Sequence, residues 1–228
     1  MRMFSLKSAM LAAAVLLGCA CTAKAADLPV RLPEPVFTWA GPYVGVHAGY
    51  MWGRSHVIDN GVLTENAART NGGLIGVMAG YNWHRDAWVF GVEGDVALAN
   101  VRGRGIAIPP ILVPIVTPNN YSMDWVAHLR GRVGYSVTST TLLFVAGGIG
   151  FTDLRFTPGG GNNQIIGTTR VGWTLGAGID HAFTSNLIGR LEYLYDDFGT
   201  KSYTIAPNDV YTVGFKAQTV RGALIWKF

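Results

Sequence analysis

Residues 220–228, Val220-Arg221-Gly222-Ala223-Leu224-Ile225-Trp226-Lys227-Phe228, decide how the rest of the chain is read. With a period of two, Val220, Gly222, Leu224, Trp226 and Phe228 share one apolar face that ends in aromatics. Arg221, Ala223, Ile225 and Lys227 share the other. Alternation of this kind specifies a strand whose two faces meet different surroundings. A soluble sandwich also contains such strands. A greasy strand that runs to a terminal aromatic with no polar tail is instead expected of the last strand of a membrane barrel, where Leu224, Trp226 and Phe228 would form an assembly signal. The choice depends on whether the chain carries a secretion signal and enough strands to close a barrel.

The first 25 residues supply the signal. Arg2 and Lys7 precede an apolar run at 9–20, and Ala23-Lys24-Ala25 is a small-x-small cleavage site. The run is shorter than the roughly 20 residues that a membrane-spanning helix needs, so residues 1–25 read as a secretory signal peptide. Leu16-Leu17-Gly18-Cys19 loosely matches a lipoprotein box, but Leu17 suits it poorly and the site at Ala25 is better formed. Cleavage there would remove Cys19 and Cys21, so no disulfide is expected in the remainder. It would also remove Arg2, Lys7 and Lys24, three of the 18 cationic residues, leaving 15 against 14 acidic ones; the net charge of +4 falls to +1. A near-neutral chain argues against nucleic acid as a partner.

Residues 26–36 are Pro-rich and read as an extended periplasmic lead-in, leaving 37–228 as one domain. That domain is unusual for water. Over the whole chain mean hydropathy is positive, charged residues make up only 14 %, and Gly reaches 30, yet no run past the signal has 18 apolar residues. High apolar content without such a run is characteristic of a membrane barrel, because lipid-facing and lumen-facing residues alternate.

Eight segments alternate in this way, near 38–52, 73–83, 87–100, 124–137, 141–156, 170–183, 186–198 and 215–228. The fourth is the clearest: Trp125, Ala127, Leu129, Val133 and Tyr135 on one face, Asp124, His128, Arg130 and Arg132 on the other. Short turns at 84–86, 138–140 and 184–185 alternate with longer loops at 53–72, 101–122, 157–169 and 199–214. Three short and four long connections predict an all-β, eight-stranded antiparallel up-and-down transmembrane β-barrel, with short periplasmic turns and long extracellular loops. A lipocalin-like soluble barrel would carry its apolar residues inside. Here Trp, Tyr and Phe crowd the face without charges. Ala48-Gly49-Tyr50-Met51-Trp52 and Ala79-Gly80-Tyr81-Asn82-Trp83 repeat one another and read as interface anchors.

Three stretches carry a resemblance: Trp39-Ala40-Gly41-Pro42-Tyr43-Val44-Gly45, the Ala79–Trp83 repeat, and Gly172-Trp173-Thr174-Leu175-Gly176-Ala177-Gly178-Ile179-Asp180. Together they resemble alphaproteobacterial outer-membrane immunogenic proteins, the RopB-like, OmpA-like small surface barrels. The resemblance covers the chain beyond the signal and departs from the family mainly in the loops. It implies an abundant surface antigen of the Gram-negative outer membrane with a role in envelope integrity, and it does not imply a catalytic site.

The inward charges are the candidate functional constellation. Glu93 and Asp95 on the third strand face Arg130 and Arg132 on the fourth, joined by Asp180, Arg190, Glu192, Arg221 and Lys227. They would form either the ion-selective constriction of a narrow passive porin or a structural network filling a lumen too tight for flow. Eight strands favour the network. The five histidines show no metal-ligand spacing, so no cofactor or metal is expected. His181 near Ser185 is the only local hint of hydrolytic chemistry and lacks a third member, so the expectation is not an enzyme. Gly159-Gly160-Gly161 lacks the context of a phosphate cradle.

The second long loop stands apart. Ile111, Leu112, Val113, Ile115 and Val116 lie among four prolines. They read either as a contact surface for a host or cell-surface ligand or as a lid over the barrel mouth. Other expected partners are outer-membrane lipid and lipopolysaccharide and the barrel assembly machinery.

Overall fold

The computed structural model describes residues 37–59, 62–106, 118–157, 166–206 and 209–228. The predicted signal and lead-in (1–36) and the apolar loop residues Ile111, Leu112, Val113, Ile115 and Val116 lie outside them.

The described residues form eight strands: β1 (Gly41–Asp59), β2 (Val62–Arg85), β3 (Trp88–Ile106), β4 (Pro118–Thr138), β5 (Thr141–Thr157), β6 (Ile166–Ala182), β7 (Leu187–Ala206) and β8 (Asp209–Lys227). Each pairs antiparallel with its sequence neighbours, and β1 pairs with β8, closing the barrel. Closure matters because a sheet edge in lipid would leave backbone groups unpaired. The last strand of the chain therefore seals the first, with Tyr43 opposite Lys227 and Val44 opposite Trp226.

The short turns follow local chemistry. Arg85 pairs with Trp88, and Asp86 adopts φ 56°, the positive value a tight hairpin requires and one that Asp tolerates. At the third turn the Thr184 hydroxyl accepts from the backbone N–H of Leu187 at 2.9 Å.

The outer surface is apolar. Val46, Ile75, Val77, Val96, Leu98, Leu129, Val145, Leu175 and Leu224 all point outward and are exposed. Aromatics concentrate at its two borders. Trp83, Trp88, Tyr135 and Trp226 mark the short-turn end, where the Trp88 and Tyr135 rings lie 5.2 Å apart; Trp52, Trp173 and Tyr195 mark the other end. From Val44 to Trp52 is about 27 Å of strand, or roughly 21 Å along the normal at a tilt of about 40°, close to the apolar band of such barrels.

Two expectations need correction. The strands run well past the predicted borders on the long-loop side. Of residues 53–72, expected as a loop, 53–59 and 62–72 continue the ladder, with Gly53 opposite Thr70 and Ser55 opposite Ala68. There the outward residues turn polar, as at Arg54 and Arg69, while the inward ones, Ser55 and Ala68, stay buried, so the apolar outward alternation that marks a strand stops while the hydrogen bonding continues. Asp124, expected inward, lies at register shifts that β4 makes with both neighbours. Its carboxylate meets the exposed Arg102 and Arg155 at 2.8 Å each, outside the lumen.

Leu129→Arg, on the outward face near mid-strand, is expected to destabilise the barrel by about 2–4 kcal/mol, and the lumen change Thr174→Ser to alter it little. Urea titration in lipid vesicles, read by the heat-dependent gel shift, measures both; equal losses would reverse the assignment of faces.

Candidate functional site: the charged lumen

Interior positions of β3, β4, β6, β7 and β8 bring buried charges to one level of the barrel. Four of the pairs follow from strand register. Glu93 is opposite Arg130, Asp95 opposite His128, Asp180 opposite Arg190 and Glu192 opposite Arg221. Most of the others cross the lumen.

Glu93 receives Arg130 and Arg190 at 2.5 Å each and the Tyr43 hydroxyl at 2.6 Å. Glu192 accepts from Arg130 at 2.6 Å and from Arg221 at 2.8 Å. Arg221 then reaches over to Asp95, donating at 3.0 and 3.2 Å. Asp180 takes a two-pronged contact from Arg190 at 2.7 and 3.0 Å and a further bond from Arg132 at 2.7 Å. His128 Nδ1 lies 2.9 Å from Asp95, and its Nε2 lies 3.2 Å from Asp196 without hydrogen-bond geometry.

Two of the three strands without a charge in this set contribute polarisable surface. Phe144 on β5 lies under the guanidinium carbons of Arg132 and Arg190, at 4.1 and 4.7 Å from the ring centre, and Met78 Sδ on β2 lies 3.9 Å from Arg190. Glycine makes room for this packing. A Cβ on Gly80 would collide with the Tyr43 hydroxyl, and one on Gly178 would come within 2.7 Å of the Phe144 ring.

Above and below the charges the lumen is largely apolar, with Arg170, Ser55 and Thr70 buried among the apolar residues on the long-loop side and Asn82 on the other. Met51, Leu74, Val101, Met123, Phe198 and Phe215 belong to a cluster on the long-loop side. Trp39, Met78, Val89, Leu142, Ile188 and Ile225 belong to one on the short-turn side. Trp39, just before β1, donates its indole N–H to Ser136 at 3.1 Å and is 1 % exposed. The charges thus sit between two greasy plugs.

All seven expected lumen residues, Glu93, Asp95, Arg130, Arg132, Arg190, Glu192 and Arg221, are buried. Arg132 differs from its expected pairing: it lies opposite Gly91 and bonds Asp180 across the barrel, 4.0 Å from Glu93. Lys227 sits at the short-turn mouth, its Nζ 5.8 Å from the Phe37 ring centre. Sequence reasoning missed Tyr43 and His128 as members of the network and both apolar plugs. Strand parity placed Tyr43, Met78 and His128 inward, which is the signal available for them. Leu224, Trp226 and Phe228 lie exposed on the outer face of β8, and the Phe228 N–H bonds the Pro42 carbonyl at 3.1 Å. His181 and Ser185 contact Thr141 and Asn186 instead of each other. Among the described residues no cluster of His, Cys, Asp and Glu is placed to hold a metal.

A closed antiparallel barrel with an apolar exterior, aromatic borders and internal charge pairs is a membrane-spanning barrel of the outer-membrane type. Residues 11–228 match the family described as outer membrane protein beta-barrel domain, and the chain belongs to that family. It is 30 % identical to the 25 kDa outer-membrane immunogenic protein of Brucella canis, over 99 % of this chain and 100 % of that one. It is also 30 % identical to the 31 kDa outer-membrane immunogenic protein of Brucella melitensis, over 88 % of each. The outer membrane protein OprG from Pseudomonas aeruginosa shares the fold, with a TM-score of 0.53 at 11 % identity over 83 % of this chain and 98 % of that one. The protein is thus a surface barrel of the outer membrane.

Removing one member of the network leaves its partners buried without a counter-charge. Arg130→Ala, which leaves Glu93 and Glu192 short of a donor, is expected to cost about 3–5 kcal/mol. Equilibrium unfolding in detergent micelles measures it; a loss under about 1 kcal/mol, the scale of an exposed pair, would show that water reaches the site.

Proposed function

We propose that the chain is a non-enzymatic outer-membrane barrel that strengthens the envelope and holds its loops outside the cell, with its lumen closed to solutes. The observation that carries this reading is the stacking of Glu93, Arg130, Arg190, Asp180 and Arg221 across the barrel between two apolar clusters. A permeating ion would have to pass Trp39 and Phe215 and break pairs that have no water to replace them. On the far side the strands continue beyond the aromatic border as a stiff collar that carries the connections. The family's immunogenic relatives fit a protein presented at the surface.

The terminal strand has a second role in this reading. Leu224, Trp226 and Phe228 display an apolar, aromatic edge pattern suited to recognition by the barrel assembly machinery before β8 closes on β1. Phe228→Ser should leave secretion intact and lower the amount of inserted barrel; unchanged surface levels would remove the assembly role.

The apolar stretch at Ile111, Leu112, Val113, Ile115 and Val116 is the candidate contact surface for another cell or a host molecule. Replacing 111–116 with Gly and Ser should leave the heat-dependent gel shift unchanged and reduce cell autoaggregation. A destabilised barrel with normal aggregation would assign the segment to a lid.

Reconstitution in planar bilayers tests the closed lumen directly. The wild-type chain is expected to show no stable openings. Frequent, long-lived channels would establish the narrow-porin alternative in place of this reading.

A further inference from the structure

The outward charges behave differently from the inward ones. Arg54, Arg69 and Arg104 lie side by side on β1, β2 and β3: Arg54 is opposite Arg69, and Arg69 is opposite Arg104. Lys216 on β8 extends the same row, opposite Arg54. All four are exposed. Like charges directly opposite one another on neighbouring strands repel, so such a row needs an anion. Lys216 has one, Asp197 at 3.1 Å. Among the described residues no carboxylate pairs with Arg54, Arg69 or Arg104. The barrel neutralises outward arginines where it has the means: Arg102 and Arg155 share Asp124, and Arg155 also meets Asp153 at 3.3 Å.

The position of the row selects the kind of anion. On β1 the outward stripe runs Val44, Val46, Ala48, Tyr50 and Trp52, and the next outward residue is Arg54. The cations therefore begin where the lipid-facing surface ends, on its long-loop side. A groove of about 700 Å³ there is lined by Trp52, Arg54, Arg69, Asn71, Lys216 and Gln218. A second of about 490 Å³ shares Arg69 and adds Arg102 and Arg104. With neighbouring strands about 4.8 Å apart, the three unpaired guanidiniums span roughly 10 Å, within reach of one lipid headgroup. Guanidinium forks match phosphate oxygens, and Trp52 below them offers an apolar floor.

We infer that Arg54, Arg69 and Arg104 form a binding site for the phosphates of an outer-leaflet glycolipid, held against the side of the barrel with its acyl chains on the apolar band. This rests on the reading above that the long-loop side faces outward. A soluble polyanion would have no reason to favour the lipid-side surface over the loop tips, and the continuity with the apolar stripe favours a membrane amphiphile.

The test refolds the full chain into phosphatidylcholine vesicles alone, with bisphosphorylated lipid A, or with the same lipid A stripped of phosphate. Unfolding is followed by the heat-dependent gel shift. For the wild type, only the phosphorylated lipid should raise the unfolding temperature. R54Q/R69Q/R104Q should lose that rise while being at least as stable as wild type in phosphatidylcholine, since its removal of like charges relieves repulsion. In a titration, R69Q alone should weaken the response by about tenfold, and R155Q, whose arginine already has carboxylate partners, should leave it unchanged. A triple variant that keeps the full rise, or that fails to fold in phosphatidylcholine, would overturn the site. An equal rise with inorganic phosphate or with a heparin fragment would reassign it to a soluble anion and overturn the lipid claim. No arm depends on whether the lumen conducts, so the outcome is separable from that of the bilayer recordings.

Discussion

Charges enclosed in an eight-stranded barrel have no water to fall back on, and this constraint organises the interior. The lumen of such a barrel is filled by side chains, so each buried guanidinium must find its carboxylate among the facing staves. Glu93 and Asp180 show how closely this ties the fold together. Each bonds one arginine on a neighbouring strand and another across the lumen, so a single carboxylate links three strands. A buried ion pair contributes little net stability over an apolar equivalent. Its value here is specificity, because a strand shifted by one residue would put Arg130 or Glu192 into lipid.

The same constraint accounts for the apolar plugs. Charge pairs hold strongly only where the dielectric is low, and water entering from either mouth would weaken them. Trp39 closes the short-turn mouth from outside the strands, and Met51, Phe198 and Phe215 fill the other half. The small residues that line parts of the wall belong to the same design, since Gly80 and Gly178 leave the space that Tyr43 and Phe144 occupy beside the network.

Much of this was legible in the chain. Period-two alternation assigned the faces of Val46, Ile75, Leu129 and Leu224 correctly, because lipid on one side and lumen on the other impose opposite chemistry on adjacent residues. Legibility failed where that contrast ends. Beyond Trp52 the outward residues, Arg54 and Arg69, are charged and the buried inward ones, Ser55, Ala68 and Thr70, are small, so residues 53–59 and 62–72 carry no apolar alternation although their ladder continues. Asp124 was misplaced because register shifts break the period, and no residue type marks them in advance. The pair of Arg132 with Asp180 lies beyond any parity argument: alternation tells which residues enter the lumen, whereas closure decides which of them meet across it. The apolar plugs lie among inward residues that carry no charge, such as Val89, Leu142 and Phe215, so the charge pattern gives no sign of them.

The charges inside and outside the barrel then answer one question in opposite ways. Inside, each of the four arginines of the lumen network lies within hydrogen-bond distance of at least one carboxylate, since nothing mobile can reach it. Outside, beyond Trp52, the barrel leaves Arg54, Arg69 and Arg104 adjacent and, among the described residues, without a carboxylate, although it pairs Arg102 and Arg155 elsewhere on the same collar. A protein that neutralises its buried charges so thoroughly has no difficulty placing an aspartate. An unneutralised row at the edge of the lipid-facing band is tolerable only if the surroundings supply the anion, and at that height the surroundings are the phosphorylated headgroups of the membrane itself. The interior charges fasten the staves to one another; the exterior ones fasten the barrel to its bilayer.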